Sequence, residues 1–371
     1  MIVEDRGVAL VEKYLAQIVD YYAESADADN HAVREAACHC IAEMVKKVRH
    51  EALEPYVPRL LDTLMKCFKD ESWPVRDTAC VACGSFIHQF PDRCRDFFAS
   101  CKPLFLENLG DPIISVRHGG AIALGNCVRA YGKEDVLDRF LMPYIKEALA
   151  GISAQPSETL KYSSELSSFG VAEKKIRDND YDLHENQVMY SCGSLAPKMS
   201  RGGGCSDEPW ERADGCIHLL AELSSICPQE TVPLLPGIAE ASRHRHYANH
   251  FVFIESILRR LFEIAQNITK KRFKPLLEDF LEPIFYALKS DNLLASSSAE
   301  ACICDLSHFL GANIFKGRVE QFNPSYLESL ARLPLDGPLP RVLKGLHLVE
   351  KAVMQQIRAM YIWEELPRST K

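Results

Sequence analysis

The sequence has no long apolar run and no excess of basic charge. No stretch reaches the roughly 18 uninterrupted apolar residues that a membrane span requires, and Glu4 and Asp5 stand where a secretory signal would be basic and then apolar. The net charge of -8 disfavours a general nucleic-acid binder, because neutralising phosphates needs a concentrated Lys/Arg face. We therefore expect a cytoplasmic protein with no membrane partner, with nuclear shuttling left open.

Local signatures of catalysis or metal binding are also missing. There is no Gly-x-Ser-x-Gly nucleophile motif, and Arg201-Gly202-Gly203-Gly204 lacks the Lys-Ser/Thr of a phosphate loop. Cys80-x-x-Cys83 has no second pair and falls at helical spacing, which favours packed thiols over a zinc site. His246 and His250 lack the Glu that a metalloprotease helix places between them. The sequence therefore predicts a protein that is not an enzyme and has no cofactor or metal; its 14 cysteines are expected to be free and buried.

A repeat of about 40 residues organises what is present. The dipeptide Val-Arg occurs at Val33, Val75 and Val116, with separations of 42 and 41 residues. After each Val, apolar or small residues follow at offsets 4, 7, 8, 11, 12 and 15, which is one stripe of a helix. Offset 4 is always small, as expected where stacked helices approach closely. A second amphipathic segment precedes each stripe, so each repeat is a helix, a short turn and a helix.

The register extends to positions Glu211, His246 and Ala295, which gives six repeats over residues 1–310. The gap of 95 residues between Val116 and Glu211 is about 54 residues longer than one period, and this excess predicts an inserted flexible loop at about 153–208. Residues 311–371 are predicted to form a C-terminal helical cap, with helices near 324–332 and 340–364. Because the stripe begins at once near Val8, we expect a fragment or isoform of a longer array.

The pattern of Asp, Val-Arg, a small residue and an apolar helix resembles the HEAT-repeat, armadillo-like superfamily of α-solenoids. The resemblance implies an all-α fold, a right-handed α-α superhelix of about six HEAT-like helix pairs. It also implies an Asp/Arg ladder between adjacent repeats, in which guanidinium and carboxylate pair side by side. The matching residues in this sequence are Asp29 with Arg34, Asp70 with Arg76, Asp111 with Arg117, and Asp207 with Arg212.

Two tryptophans, Trp73 and Trp210, are predicted to lie in corresponding inter-helix turns. Such an aromatic either packs neighbouring turns together or anchors a partner, and we favour packing. Tubulin-binding TOG arrays, a HEAT relative, also use a Trp in such a turn. Their turns generally carry basic residues, whereas the turn here reads Lys69-Asp70-Glu71-Ser72.

These patterns favour a non-enzymatic scaffold or assembly adaptor whose concave face and turns bind other proteins. Two alternatives stay open at this point. An importin-like nuclear transport receptor would share the solenoid and its mild acidity, and a TOG-like array would bind tubulin.

Overall fold

The computed structural model describes residues 10–157, 208–333 and 335. Within these ranges every regular element is a helix and no strand is present, which confirms the all-α fold class. The longer helices are α1 (Leu15–Ser25), α2 (His31–Lys47), α3 (Val57–Cys67), α4 (Trp73–Gln89), α5 (Arg95–Leu109), α6 (Ile114–Tyr131), α7 (Met142–Gly151), α8 (Pro209–Ile226), α9 (Leu235–Ala241), α10 (His250–Ile268), α11 (Leu277–Leu288), α12 (Leu293–Leu310) and α13 (Ala312–Phe322). Shorter helical turns connect them, including His50–Leu53, Lys133–Leu141, Pro228–Thr231, Lys270–Phe273 and Leu327–Leu330.

The chain forms two compact units, Met1–Asp279 and Phe280–Lys371, and the division falls inside α11. The predicted boundary at 310 is a different one and stays a prediction. In the second unit α12 packs against α13. Of the predicted cap helices, the first is represented by Leu327–Leu330, and the second, near 340–364, lies outside the described residues.

The first unit is a stack of helix pairs. The second helix of each pair contacts the second helix of the next pair, in the order α2, α4, α6, α8 and α10. The first helices pack beside their own partners, α1 on α2, α3 on α4, α5 on α6 and α7 on α8. This arrangement buries the predicted apolar stripes between layers, as a solenoid requires.

Local sequence explains where these helices begin. The Asn30 side chain accepts a 2.9 Å hydrogen bond from the Ala32 amide and caps α2. Pro74 and Pro209 stand in the first turns of α4 and α8, where proline costs no helical hydrogen bond. Pro103 lies inside α5, which begins at Arg95.

The small residues of the stripe permit close backbone contact. A Cβ added to Gly120 would lie 3.2 Å from the Leu109 amide nitrogen, and one added to Gly215 would lie 1.8 Å from the Leu109 carbonyl oxygen. Both glycines occupy offset 4, and the structure explains why that position excludes bulk. Val75 and Val116 are fully buried as predicted, but Val33 is 41% exposed and is no core residue.

The predicted insertion at 153–208 falls almost entirely on residues 158–207, outside the described ranges. Its flanking helices α7 and α8 pack against each other as a helix pair. The inserted segment therefore lies within the fourth pair, between its two helices.

Candidate functional site

Two arginine–aspartate contacts join the first three helix pairs. Arg34 donates from Nε and Nη2 to the two carboxylate oxygens of Asp70, at 2.6 and 2.8 Å. Arg76 makes the same fork with Asp111, at 3.1 and 3.4 Å. Each arginine belongs to one pair and its aspartate to the next, so the contacts run between layers as parallel bidentate bonds.

The same arginines also hold the turns before their own helices. Arg34 Nη1 donates to the carbonyls of Ala28 and Asp29, both at 2.9 Å. Arg76 Nη1 donates to the carbonyls of Asp70 and Glu71, at 2.9 and 3.1 Å. Asp29 therefore contributes through its main chain. One guanidinium fixes a turn and a layer contact together, because its donors form a rigid planar fork.

None of the three arginines pairs with the carboxylate of the aspartate matched to it in the sequence, and the third reaches an aspartate that lies inside a helix. Arg117 Nη1 donates to the Asp111 carbonyl at 2.6 Å, but its Nε donates to Asp214 at 2.7 Å across a separation of 97 residues. Both side chains of this pair have no exposed surface. Asp207, the predicted fourth aspartate, lies outside the described residues, and Arg212 lies in the first turn of α8 beside Gly110. We call the three contacts the arginine ladder.

Trp210 completes the surroundings of Arg117. Its ring centroid lies 5.3 Å from the Arg117 guanidinium carbon, within cation–π range. Trp210 is buried, whereas Trp73 is half-buried. Neither lies in a turn as predicted: Trp73 is the first residue of α4 and Trp210 the second of α8. The neighbouring prolines favour the first helical turn, so each helix begins by its tryptophan.

The electrostatics keep Asp214 ionised. Burial acts to raise the pKa of Asp214, but the charge of Arg117 and then the influence of His218 and Ser256 more than offset it, and the pKa is lowered. A buried carboxylate without such partners would be costly. The pair is therefore stabilised as a unit and would be destabilised by loss of either member.

A histidine–arginine cluster that the sequence analysis missed continues from this pair. His218 Nε2 lies 3.5 Å from Asp214 Oδ2, and Arg260 Nε donates to His218 Nδ1 at 3.2 Å. Arg260 Nη2 also lies 3.1 Å from His118 Nε2. Burial, then Arg260 and His218, lowers the pKa of His118 to about 4, so the ring is neutral and can accept this bond. The available signal was His218 itself, a polar residue at offset 7, where Ala82 and Ala123 stand in other repeats.

A second polar cluster closes the base of the inserted segment. Glu208 Oε2 accepts bonds from Trp210 Nε1 at 2.7 Å and from Gln155 Nε2 at 3.3 Å. Gln155 Oε1 accepts from the Trp210 amide at 3.0 Å, and its carbonyl accepts from His246 Nε2 at 2.8 Å. Gln155 and Glu208 are both buried. The two ends of segment 158–207 are thus held together by side chains, independently of the segment's own path.

The cysteine and metal predictions concern the same helices. Every cysteine in the described ranges is a free thiol, and burial raises the pKa of Cys94 and of Cys101 to about 12. Across the described residues no group of three or more His, Cys, Asp or Glu side chains is arranged to hold a metal ion. None of the helices in those ranges is long and apolar enough to cross a membrane.

Residues 60–90 match the family model described as HEAT repeat. The match covers most of α3 and all of α4, the second helix pair, and includes Asp70, Trp73 and Arg76. The predicted resemblance to HEAT repeats is confirmed for this helix pair, and the ladder described above runs through the matched segment.

Several solved structures are similar to this chain. A designed armadillo repeat protein, YIII(Dq)4CqI, is 11% identical with a TM-score of 0.35, over 77% of this chain and 98% of that one. Karyopherin Kap121p, bound to the extreme C-terminus of the protein phosphatase Cdc14p, is 13% identical with a TM-score of 0.46, over 89% of this chain. Importin beta is 14% identical with a TM-score of 0.34, over 91% of this chain. The chain spans 33% of the karyopherin and 42% of the importin.

Proposed function

We propose that this HEAT-type chain is a non-enzymatic scaffold that binds other proteins, and we expect it in the cytoplasm. The observation that carries the proposal is the arginine ladder. Arg34, Arg76 and Arg117 are held between layers and turns, and the Arg117–Asp214 pair is fully buried. The ladder therefore stabilises the stack, and its fully buried Arg117–Asp214 pair is out of reach of a substrate.

What the stack offers to a partner is the surface of its turns and second helices. Ile114, at the start of α6, is 47% exposed, and Trp73 occupies the matching position of α4. A pocket of about 380 Å³ opens between the first two inter-helix turns, and its lining includes Asp27, Asp29 and Glu71. Apolar positions at a regular spacing beside polar turns suit an extended protein interface.

The experiment is affinity purification of the tagged full chain, followed by cross-linking mass spectrometry. We expect cross-links to place a protein partner on the turns or second helices. Ile114→Asp should weaken that partner while leaving the thermal melt unchanged, and Leu10→Asp, also at an exposed apolar position, is the matched control. Recovery of no stable partner by the folded wild-type chain would overturn the proposal.

The identity of the recovered protein also distinguishes narrower roles. Ran among the partners would indicate an importin-like transport receptor, and tubulin would indicate a TOG-like array. An assembly complex would indicate an adaptor.

A further inference from the structure

Four cations stand together at the connection after α10. Lys270, Lys271 and Arg272 are exposed, Lys274 is half-buried, and Phe273 between them is fully buried and anchors the turn. Among the described residues no carboxylate lies within 4.0 Å of any of the four. We call residues 270–274 the basic corner. It stands out because the whole chain carries a net charge of -8.

At each of three equivalent connections between earlier helix pairs, a cation pairs with a carboxylate. Arg49, after α2, pairs with Glu12 at 2.5 Å. Arg93, after α4, pairs with Glu54 at 2.9 Å, and Lys133, after α6, pairs with Glu230 at 2.5 Å. The charge of Arg272 also helps to lower the pKa of Glu230, but the main cause is the hydrogen bond from Lys133, which occupies that carboxylate. The basic corner is therefore the connection at which positive charge is concentrated without an acidic partner in the described part of the chain.

The backbone before the basic corner is strained. Thr269 has φ +79° and ψ 149°, in a region that only glycine occupies readily. Gly132 and Gly311 occupy the corresponding connections after α6 and α12, with φ +84° and +99°. A β-branched residue at a glycine position is unfavourable for the fold alone, and such strain concentrates at functional sites.

We propose that the basic corner is a docking site for an acidic segment of a partner protein. This inference rests on the proposed scaffold function and names the partner chemistry for one surface. Charge complementarity carries it, since four neighbouring cations without carboxylates attract a cluster of Asp and Glu side chains. A nucleic acid would also be attracted, but neutralising a phosphate backbone needs an extended Lys/Arg face, whereas these four cations lie within five residues and suit a short acidic peptide.

The test uses the full chain and a fluorescent poly-glutamate peptide, with a poly-uridine RNA of the same length at matched salt. Lys270→Glu with Lys271→Glu should weaken peptide binding by about tenfold or more. The matched control is Lys69→Glu with Lys146→Glu, which makes the same change in net charge at two exposed lysines elsewhere. That control should bind within about twofold of wild type, since its lysines lie away from the corner.

Equal loss in the control would show that peptide binding follows overall charge, and it would overturn the proposal. Tighter binding of the RNA than of the peptide would overturn it in favour of a nucleic-acid site. Thermal melts of all variants exclude unfolding as the cause. Failure of the proposed scaffold function is a different result from failure of this docking site. The first would appear as no partner recovered with the wild-type chain, and it does not depend on how these variants bind the peptide.

Discussion

Arg117 and Asp214 form an ion pair at 2.7 Å in which neither side chain has exposed surface, although 97 residues separate them. Arg117 lies on α6 and Asp214 on α8, on either side of the inserted segment. The pair therefore joins the third and fourth helix pairs across the point where the repeat is interrupted.

Replacing one residue of the Arg117–Asp214 pair should lower the free energy of unfolding more than replacing both residues. Asp214→Leu or Arg117→Met should each lower the free energy of unfolding by about 3 to 5 kcal/mol, because each leaves an uncompensated buried charge. The double variant should recover part of that loss. Denaturant melts measure all three, and Arg139→Met, which breaks an exposed pair with Asp135, is the control, at under about 0.5 kcal/mol. Additive losses in the double variant would show that the two charges are not coupled.

Asp77 should make stability depend on pH. Burial, then the carboxylates of Asp111 and Glu35, raises its pKa from 3.8 to about 7, and Arg76 only partly opposes this. The carboxylate also packs against the α6 backbone, since a Cβ on Gly119 would lie 2.0 Å from Asp77 Oδ1.

Because the folded state binds the Asp77 proton more tightly than the unfolded state, this group's contribution falls as pH rises from about 4 to about 7 and is then constant. Asp77→Asn should raise the free energy of unfolding at pH 7.5, by up to about 4 kcal/mol at about 1.4 kcal/mol per pKa unit. Urea melts across this range test it, with Asp62→Asn on the exposed face of α3 as control. An unchanged pH profile in Asp77→Asn would contradict the assignment.

Thr269→Gly should stabilise the protein, against the usual effect of glycine. It removes a strained φ of +79° at a position where other connections use glycine, for a gain of about 1 kcal/mol. Thr78→Gly, the same change within the ordinary helical backbone of α4, should lose about 1 kcal/mol or more. Calorimetric melts of the two variants should shift in opposite directions, and a lowered melting temperature for Thr269→Gly would refute the strain.

Gly215→Ala should be strongly destabilising despite the helix propensity of alanine. The new methyl group would lie 1.8 Å from the Leu109 carbonyl oxygen, so α8 must move away from α5 at a cost of about 2 kcal/mol or more. Gly317→Ala in α13 is the matched control, because no atom lies within 4 Å of its added Cβ. There the same change should gain up to about 1 kcal/mol. Equal effects at the two sites, read from denaturant melts, would mean that the close contact is absent.

Trp210→Phe should lower the free energy of unfolding by breaking the hydrogen bond between Trp210 and Glu208, at the point where the inserted segment ends. It removes the indole N–H that donates to Glu208 at 2.7 Å and leaves a buried carboxylate short of a donor, at about 1 to 3 kcal/mol. The same change in a Glu208→Ala background should cost less, and this double-mutant cycle isolates the bond. A coupling energy near zero in denaturant melts would argue against it.

Much of the first unit could be predicted from the sequence because the information is local. The spacing of Val33, Val75 and Val116 defines the helix pairs, since an apolar stripe specifies a helix face within one segment. The small residues at offset 4 likewise predicted the points at which stacked helices approach each other closely. Arg34 and Arg76 find their aspartates in the next turn, about one period away.

Other features needed the tertiary structure. The insertion interrupts the period, so the partner of Arg117 is Asp214 in α8, a choice made by which helices stack. His118, His218 and Arg260 come from three different helices, and the insertion separates His118 from the other two along the chain. The burial of Asp77 and the strain at Thr269 also depend on neighbouring layers. The sequence by itself determined the helices and their order, because hydrophobic periodicity acts within one segment. The stacking of the helices decided which charged side chains pair, because burial and long-range pairing arise only between layers.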